Sequence, residues 1–140
     1  MQEKKYLSHS TEETEALAAV LAPELAKAPA VALYGDLGMG KTAFTRGLAR
    51  GLGCTTPVSS PTYTIVNEYL GPRKLCHFDM YRLPDEDALY EIGWEDYLSS
   101  GALCVTEWSE NVPNAFPAGT AEVHIRRLDD ETREILVKLC

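Results

Sequence analysis

The sequence predicts an α/β fold, and three consecutive features carry this prediction. An apolar run from Ala30 to Tyr34 is typical of a buried strand. The next segment, Gly-Asp-Leu-Gly-Met-Gly-Lys-Thr at residues 35–42, fits the phosphate-binding pattern G-x-x-x-x-G-K-S/T. From Lys41 to Leu52, apolar side chains recur every four residues and indicate an amphipathic helix. A strand, a glycine-rich loop and a helix in this order are typical of a nucleotide-binding unit, the P-loop NTPase fold.

The glycine-rich loop, residues 35–42, should bind the phosphates of a nucleoside triphosphate. Glycines let successive backbone N–H groups face one point, and the following helix directs the positive end of its dipole there. Lys41 adds a full charge at the β and γ phosphates, and the Thr42 hydroxyl is placed to coordinate Mg²⁺. An ordinary glycine-rich turn is the alternative, but the flanking strand and helix count against it. The expected nucleotide-binding residues of this loop are Gly35, Asp36, Leu37, Gly38, Met39, Gly40, Lys41 and Thr42.

An earlier helix is predicted from Thr11 towards Ala28. Ser10 and Glu13 have the spacing of a capping box, and apolar residues follow at helical intervals. Pro23 removes one hydrogen bond and crowds the preceding turn, so we expect the helix to kink or restart there.

Beyond the glycine-rich loop, short apolar runs alternate with loops and polar helical segments. Residues 57–64 carry two prolines and five hydroxyl side chains, which predict an exposed loop. Strands are predicted at 65–70, 75–80, 102–107, 122–128 and 133–139, helices at 85–92 and 94–99, and a loop at 113–119. We expect residues 1–140 to form one P-loop ATPase domain around a mixed, mainly parallel sheet with a C-terminal β-hairpin. The nucleotide would bind at the carboxyl ends of the parallel strands.

Composition narrows the classes of function. The chain has 140 residues, a net charge of -8 and 45% hydrophobic residues, which suit one globular domain. The acidic charge counts against strong direct binding of nucleic acid, because such binding rests on Lys and Arg. No apolar segment suits a membrane span and residues 1–6 do not resemble a signal peptide, so we expect a cytoplasmic protein with no membrane partner. The four cysteines lack C-x-x-C spacing, which favours reduced thiols over a zinc site.

Glu107 is the first candidate for chemistry outside the loop. It ends the strand predicted at 102–107, where an NTPase needs a carboxylate for its Mg²⁺ shell. Glutamate has one more methylene than the usual aspartate, so a direct metal ligand and a base that positions water are both open. The alternative is a strand-end carboxylate that faces solvent.

His77, Asp79 and Arg82 form a second polar cluster, within His-Phe-Asp-Met-Tyr-Arg. Because side chains alternate along a strand, His77 and Asp79 should share the face opposite Phe78. Asp79 could order a water of the metal shell or orient the attacking water, with His77 hydrogen-bonded nearby. A satisfied structural histidine is the more common alternative. Arg82 could contact phosphate or pair with the acidic residues 85–87, and the sequence leaves both open.

Thr62, in the hydroxyl-rich loop, is the candidate switch residue that reaches the metal and γ-phosphate only in the triphosphate state. An inert surface loop is the alternative. The sequence has neither Asn-Lys-x-Asp nor Asp-x-x-Gly, which disfavours a small GTPase. Seven arginines are few for a kinase that closes cationic residues over its phosphoryl group. Hydrolysis is favoured, and a nucleotide-gated binding module or a small-metabolite kinase are the alternatives.

Four blocks of the sequence, in this order, resemble the bacterial TsaE (YjeE) family of ATPases. They are the glycine-rich loop, Ser-Pro-Thr-Tyr-Thr at 60–64, His-Phe-Asp-Met-Tyr-Arg at 77–82 and Val-Thr-Glu-Trp at 105–108. The resemblance spans about residues 7–133. At position 39 we would expect a small residue rather than Met39, and at position 106 an apolar residue rather than Thr106.

The resemblance implies an ATPase, weak alone and stimulated by partners, that works with the proteins TsaB and TsaD. Together they would install threonylcarbamoyl on the adenosine beside the anticodon of tRNA, which the other subunits would hold. ATP and Mg²⁺ are the implied cofactors.

The resemblance also implies roles for individual residues of this chain. The adenine pocket would draw on residues 11–14 and on a C-terminal arginine, here Arg133. Lys41, Asp79 and Glu107 would be catalytic, Thr42 and Glu107 would hold the metal, Thr62 would be the switch threonine, and Trp108 would lie near the nucleotide.

Overall fold

Seven strands and four helices are found in the part of the chain that the computed structural model describes, residues 2–35, 40–55, 66–79, 86–107 and 115–139. The strands are β1 (Gln2–Ser8), β2 (Ala30–Tyr34), β3 (Val66–Tyr69), β4 (Leu75–Asp79), β5 (Leu103–Glu107), β6 (Ala121–Arg127) and β7 (Arg133–Leu139). The helices are α1 (Thr11–Leu25), α2 (Lys41–Gly51), α3 (Glu86–Glu91) and α4 (Trp94–Ser99). All but β1 and α1 match the predicted elements to within one residue at each end. The loop predicted at 57–64 lies outside the described residues.

The strands form one mixed sheet in the order β1-β7-β6-β2-β5-β4-β3. Its centre is parallel, with β2 between β6 and β5 and with β4 beside β5. Both margins are antiparallel, through the pairs β1 with β7, β7 with β6 and β3 with β4. The mixed sheet is confirmed, but parallel pairing predominates only at its centre, because the C-terminal hairpin and the N-terminal strand extend one margin.

Strand β1 was not predicted from the sequence. Its residues are exposed as far as Lys5 and include Glu and Lys, which are depleted in strands, so no apolar alternation marks it. It nevertheless pairs along its whole length with β7, from Gln2 opposite Leu139 to Ser8 opposite Arg133. Long-range pairing therefore outweighs a poor local propensity at this edge.

Helix α1 begins at its predicted cap. The Ser10 Oγ accepts a hydrogen bond from the Glu13 backbone N–H at 3.0 Å, and the Glu13 carboxylate accepts one from the His9 N–H at 2.5 Å. The second bond reaches one residue before the cap, a variation on the capping box. The helix continues through Pro23 and ends at Leu25, so the predicted restart and the extension towards Ala28 are wrong.

Helices cover both faces of the sheet. On one face, α1 and α2 pack on side chains such as Val31, Leu33 and Val105, and on the other α3 and α4 pack on Cys76 and Phe78. None of the described helices is long and apolar enough to cross a bilayer.

Helices α1 and α2 approach each other closely. A β-carbon added at Gly47 would lie 2.2 Å from the Glu15 carbonyl oxygen and 2.7 Å from the Ala18 Cβ. Glycine thus lets the two helix backbones touch, and this contact fixes one helix N-terminus relative to the other.

Candidate functional site

The carboxyl ends of three adjacent parallel strands meet at one edge of the sheet. Gly35 follows β2, Glu107 ends β5, and Asp79 ends β4 directly opposite Glu107 in the strand register. Since β5 lies between β2 and β4, this edge combines the start of the glycine-rich loop with both predicted carboxylate positions. Ligands of open α/β sheets bind at such an edge.

Gly40 is the N-cap of α2 and has a left-handed backbone, with φ 105° and ψ 15°. L-residues rarely adopt this conformation, so glycine is required even though a β-carbon would meet no atom within 4 Å. The Gly40 carbonyl accepts the first hydrogen bond of the helix, from the Phe44 N–H at 2.9 Å. Gly35 also has a positive φ, of 144°. The loop residues between them, 36–39, lie outside the described part of the chain.

Lys41 is buried at the first position of α2, with 4% of its surface exposed. Its Nζ donates a hydrogen bond to the Gly35 carbonyl oxygen at 2.6 Å, so the side chain folds back towards the end of β2. The first turn of α2 contains no acidic residue. A buried cation and the positive end of a helix dipole therefore lie together, and both favour an anion at this point.

Thr42 occupies the same helical turn as Lys41 and is partly exposed. A hydroxyl beside the positive helix end can contribute to a metal shell together with phosphate oxygens.

A cavity of about 360 Å³ opens next to Gly40. It is lined by the N-terminal ends of both α1 and α2 and by the turn between β6 and β7. Its lining residues are His9, Ser10, Thr11, Thr14, Gly40, Ala43, Asp130, Glu131 and Arg133. Its size lies within the range of small-molecule pockets. The structure thus brings the start of α1 and Arg133, the two segments that the resemblance assigns to adenine, to one cavity beside the glycine-rich loop.

The unpredicted strand β1 explains why this cavity exists. Its pairing with β7 puts Ser8 opposite Arg133, so the chain enters α1 next to the C-terminal hairpin. The Ser8 and Thr14 hydroxyls share a buried hydrogen bond of 2.7 Å, which fixes the first turn of α1 against the strand. One wall of the cavity is therefore set by contacts between the two ends of the chain.

The opposite wall is a tight turn. The Asp129 carboxylate accepts hydrogen bonds from the Glu131 N–H at 2.9 Å and from the Thr132 N–H at 2.8 Å. These bonds, the one from Glu131 foremost, lower the pKa of Asp129. The Arg133 guanidinium donates to the Asp129 carbonyl oxygen at 3.0 Å. The turn thus orients Arg133 from its own backbone.

Glu107 and His77 form a buried pair. The Glu107 Oε2 lies 2.5 Å from the His77 Nε2, with His77 fully buried and 10% of the Glu107 side chain exposed. The alternative of a strand-end carboxylate facing solvent is therefore excluded. The histidine is not a fully satisfied structural residue either, because its Nδ1 is buried without a hydrogen-bond partner among the described residues.

The remaining predicted site residues are only partly described. Asp79 is placed by its backbone register alone. Thr62, Arg82 and Trp108 lie outside the described residues, as do Asp36, Leu37, Gly38 and Met39.

Sequence reasoning missed two features of the site. Asp130 and Glu131 were read only as turn residues, and nothing local signals that their turn closes a cavity against α1. The link between His77 and Glu107 was also missed, although the two strand patterns, once taken as neighbours, would bring these side chains to one face.

These features define a class: a small α/β protein in which a central strand, a glycine at the start of a helix and a buried lysine lie beside a cavity. The sequence model described as Threonylcarbamoyl adenosine biosynthesis protein TsaE matches residues 8–135. The chain belongs to the TsaE family. The resemblance found in its sequence motifs is thereby confirmed.

Several relatives are named tRNA threonylcarbamoyladenosine biosynthesis protein TsaE. The Bacillus subtilis protein is 38% identical over 136 residues, which cover 96% of this chain and 85% of the relative. The Treponema pallidum protein is 37% identical over 131 residues, 94% of this chain and 97% of the relative. The Haemophilus influenzae protein is 44% identical over 105 residues, 74% of this chain and 66% of the relative.

A solved structure shares the fold. The crystal structure of Bacillus subtilis YdiB superposes with a TM-score of 0.81 at 34% identity, covering 99% of this chain and 86% of that one.

Proposed function

We propose that the chain is a single-domain, Mg²⁺-dependent P-loop ATPase. It binds the TsaB–TsaD pair and supports threonylcarbamoylation of the adenosine beside the tRNA anticodon. Its hydrolysis is weak alone and stronger with these partners, and it acts in the cytoplasm.

One observation carries the ATPase proposal. The Lys41 ammonium is buried at the N-terminus of α2, where it adds to the positive end of the helix dipole and bonds the Gly35 carbonyl oxygen. A buried cation at the positive end of a helix favours an anionic ligand at this point. A polyphosphate would compensate both charges, which explains why lysine stands there.

The cavity beside Gly40 supports a nucleotide rather than a simple phosphate. Its position next to the glycine-rich loop allows one ligand to span both. Hydroxyl and guanidinium groups supply hydrogen-bond donors, and the Arg133 side chain can also lie against a planar ring. Adenine, ribose and phosphates can thus be held by contiguous surfaces.

The residues at the sheet edge fit a magnesium ion. Mg²⁺ in nucleotide sites takes few protein ligands, usually one or two oxygens besides phosphates and water. The Glu107 carboxylate and the Thr42 hydroxyl are oxygen ligands of the required kind. When bound, the ion would neutralise the charge between the β and γ phosphates. Glu107 would orient the metal shell or the attacking water, and Lys41 would hold the γ-phosphate as charge moves towards the β-phosphate.

The names of the relatives support the tRNA modification pathway for this chain. The net charge of -8 supports a division of labour in which other subunits hold the tRNA.

The test is a substitution that removes the Lys41 charge and leaves helix α2 intact. Lys41→Met should lower ATP turnover, alone and with TsaB and TsaD, by at least about 100-fold. The substitution removes the positive charge that would stabilise the transferred phosphoryl group. Arg46→Met is the matched control, since Arg46 lies on the same helix, half-exposed and 3.4 Å from Glu15. Normal turnover by Lys41→Met would overturn the proposal.

A second variant separates hydrolysis from nucleotide-gated binding. Glu107→Gln should bind ATP but lose hydrolysis and tRNA modification together, since the carboxylate acts in the chemical step. If Glu107→Gln supports tRNA modification without hydrolysis, the chain acts as a nucleotide-gated module instead.

A further inference from the structure

We propose that His77 is a positioning residue for Glu107: its Nε2–H fixes one carboxylate oxygen so that the other faces the metal shell and the attacking water. The inference rests on the proposed ATPase function. It assigns a role to a side chain whose function the sequence left open.

The backbone places the two residues with little freedom. His77 pairs with Val105 in the register of β4 and β5, and Glu107 lies two positions further along β5 on the same face. Both strands are interior strands of the sheet, so their spacing is fixed by ladders on either side. The contact of 2.5 Å therefore depends only on side-chain rotamers.

Glutamate needs such a restraint at this site. Its side chain has more rotatable bonds than the aspartate usually found in this role, so an unrestrained carboxylate would sample several orientations. A hydrogen bond to an ionised acceptor is among the stronger ones, and it strengthens where solvent is excluded. With only 10% of the Glu107 side chain exposed, water competes little with the His77 bond.

The unpartnered nitrogen fits the proposed direction of the bond. A donor at Nε2 of His77 lies within reach of the Glu107 carboxylate oxygen, which can accept. The buried Nδ1 then carries a lone pair rather than an N–H, which is the less costly atom to leave without a partner. In the proposed arrangement His77 donates through Nε2 to the Glu107 carboxylate.

A purely packing role does not explain the histidine. Methionine would fill much of the same volume with no polar atom to bury, whereas His77 leaves one buried ring nitrogen without a hydrogen-bond partner in the described part of the chain. What histidine adds is the N–H that meets Glu107.

Two variants of equal side-chain length separate these roles. His77→Gln keeps an amide N–H near the position of Nε2, and His77→Met removes the donor while keeping the bulk. We expect His77→Met to lower kcat for ATP by about 10- to 100-fold, the usual effect of removing a partner that orients a ligand. The KM for ATP should stay within about twofold, because the phosphate and base contacts are untouched. His77→Gln should recover most of the loss.

Two measurements do not depend on turnover. Long-range ¹H–¹⁵N NMR of the wild-type ring should show a protonated Nε2 and an unprotonated Nδ1. Calorimetry with a non-hydrolysable ATP analogue and Mg²⁺ should give dissociation constants within about twofold of wild type for both variants, so that the loss in kcat is not a loss of binding.

The outcomes are distinct. If wild type hydrolyses ATP and His77→Met matches it in kcat, or if both variants lose activity and stability equally, the positioning role is overturned and the ATPase stands. A ring protonated only at Nδ1 also overturns it. If wild type hydrolyses no ATP even with its partners, the proposed function fails, while the NMR spectrum still decides whether the hydrogen bond exists.

Discussion

The glycine-rich loop and the cavity beside it are neighbours in space but are built in different ways. The loop joins β2 to α2 within residues 35–42, and its sequence is marked by glycines and by the start of a helix. The cavity joins the two ends of the chain: the His9 Nδ1 lies 3.4 Å from the Thr132 Oγ1, across 123 positions of sequence.

This difference shows which part of a functional site can be predicted from the sequence. A loop whose function depends on local backbone geometry carries a readable pattern. A cavity assembled by strand pairing has no pattern of its own, because its walls come together only when β1 pairs with β7. Substitutions can change one of the two regions alone, or the contact between them.

The largest effect is expected where the two regions are joined, at the contact between α1 and α2. Gly47→Ala should destabilise the protein by about 1–3 kcal/mol, because the new methyl group would overlap the Glu15 carbonyl oxygen, 2.2 Å away. Helix propensity alone predicts the opposite, a gain of about 1 kcal/mol. Urea unfolding decides between them, with Arg50→Ala on the exposed side of α2 as control. A more stable Gly47→Ala variant would show that the helices do not pack as described.

A smaller effect is expected in the cavity alone. Arg133→Ala should raise the KM for ATP by about tenfold, equal to about 1.4 kcal/mol of binding, because Arg133 lines the cavity but not the phosphate loop. Its kcat should change by less than about twofold, since the reacting groups are elsewhere.

Steady-state kinetics check this expectation against Arg126→Ala. Arg126 lies on the same hairpin, is 69% exposed in its side chain and pairs with Glu134 at 3.1 Å. A fall in kcat for Arg133→Ala at unchanged KM would place this arginine in the chemistry rather than in base binding.

The smallest effect is expected in the centre of the sheet, which both regions share. Burial raises the pKa of Cys76 to about 11 and that of Cys104 to about 12. Folding therefore favours the neutral thiols: this contribution to stability is complete below the ordinary thiol pKa of 9.0 and is lost as pH rises through the raised values.

A disulfide reagent applied at about pH 8, below the ordinary thiol pKa, should leave both cysteines unlabelled. Mass spectrometry should find the same protection in wild type, Lys41→Met and Arg133→Ala. Labelling of Cys76 or Cys104 in either variant would mean that the substitution disturbs the core, and that its kinetic effect is not local.

Most of the fold could be predicted from sequence because most elements carry their own signal. The alternation in 133–139 and the apolar run of 102–107 gave strands that match the structure within one residue. Helix α1 continues past Pro23 to Leu25 because Ala22 and Leu25, on either side of the proline, are buried in the core, and this packing outweighs the one hydrogen bond that proline removes. Strand β1 could not be predicted because its exposed, charged residues carry no strand pattern. It forms because it pairs with β7.

The residues of the candidate site also divide into those marked by a local pattern and those placed by long-range pairing. Lys41, Thr42 and Glu107 could be selected from spacing, since a motif and a strand end mark them. The hydrogen bond between His77 and Glu107 depends on β4 lying next to β5, which no local pattern states. Asp130 and Glu131 reach the cavity through the same kind of long-range pairing.

The most direct test is a crystal structure with Mg²⁺ and a non-hydrolysable ATP analogue. The account predicts phosphates at the Gly40 and Lys41 backbone N–H groups, adenine in the cavity between α1 and Arg133, and the metal near Thr42 and Glu107. A nucleotide bound elsewhere, or one whose base lies outside that cavity, would contradict it.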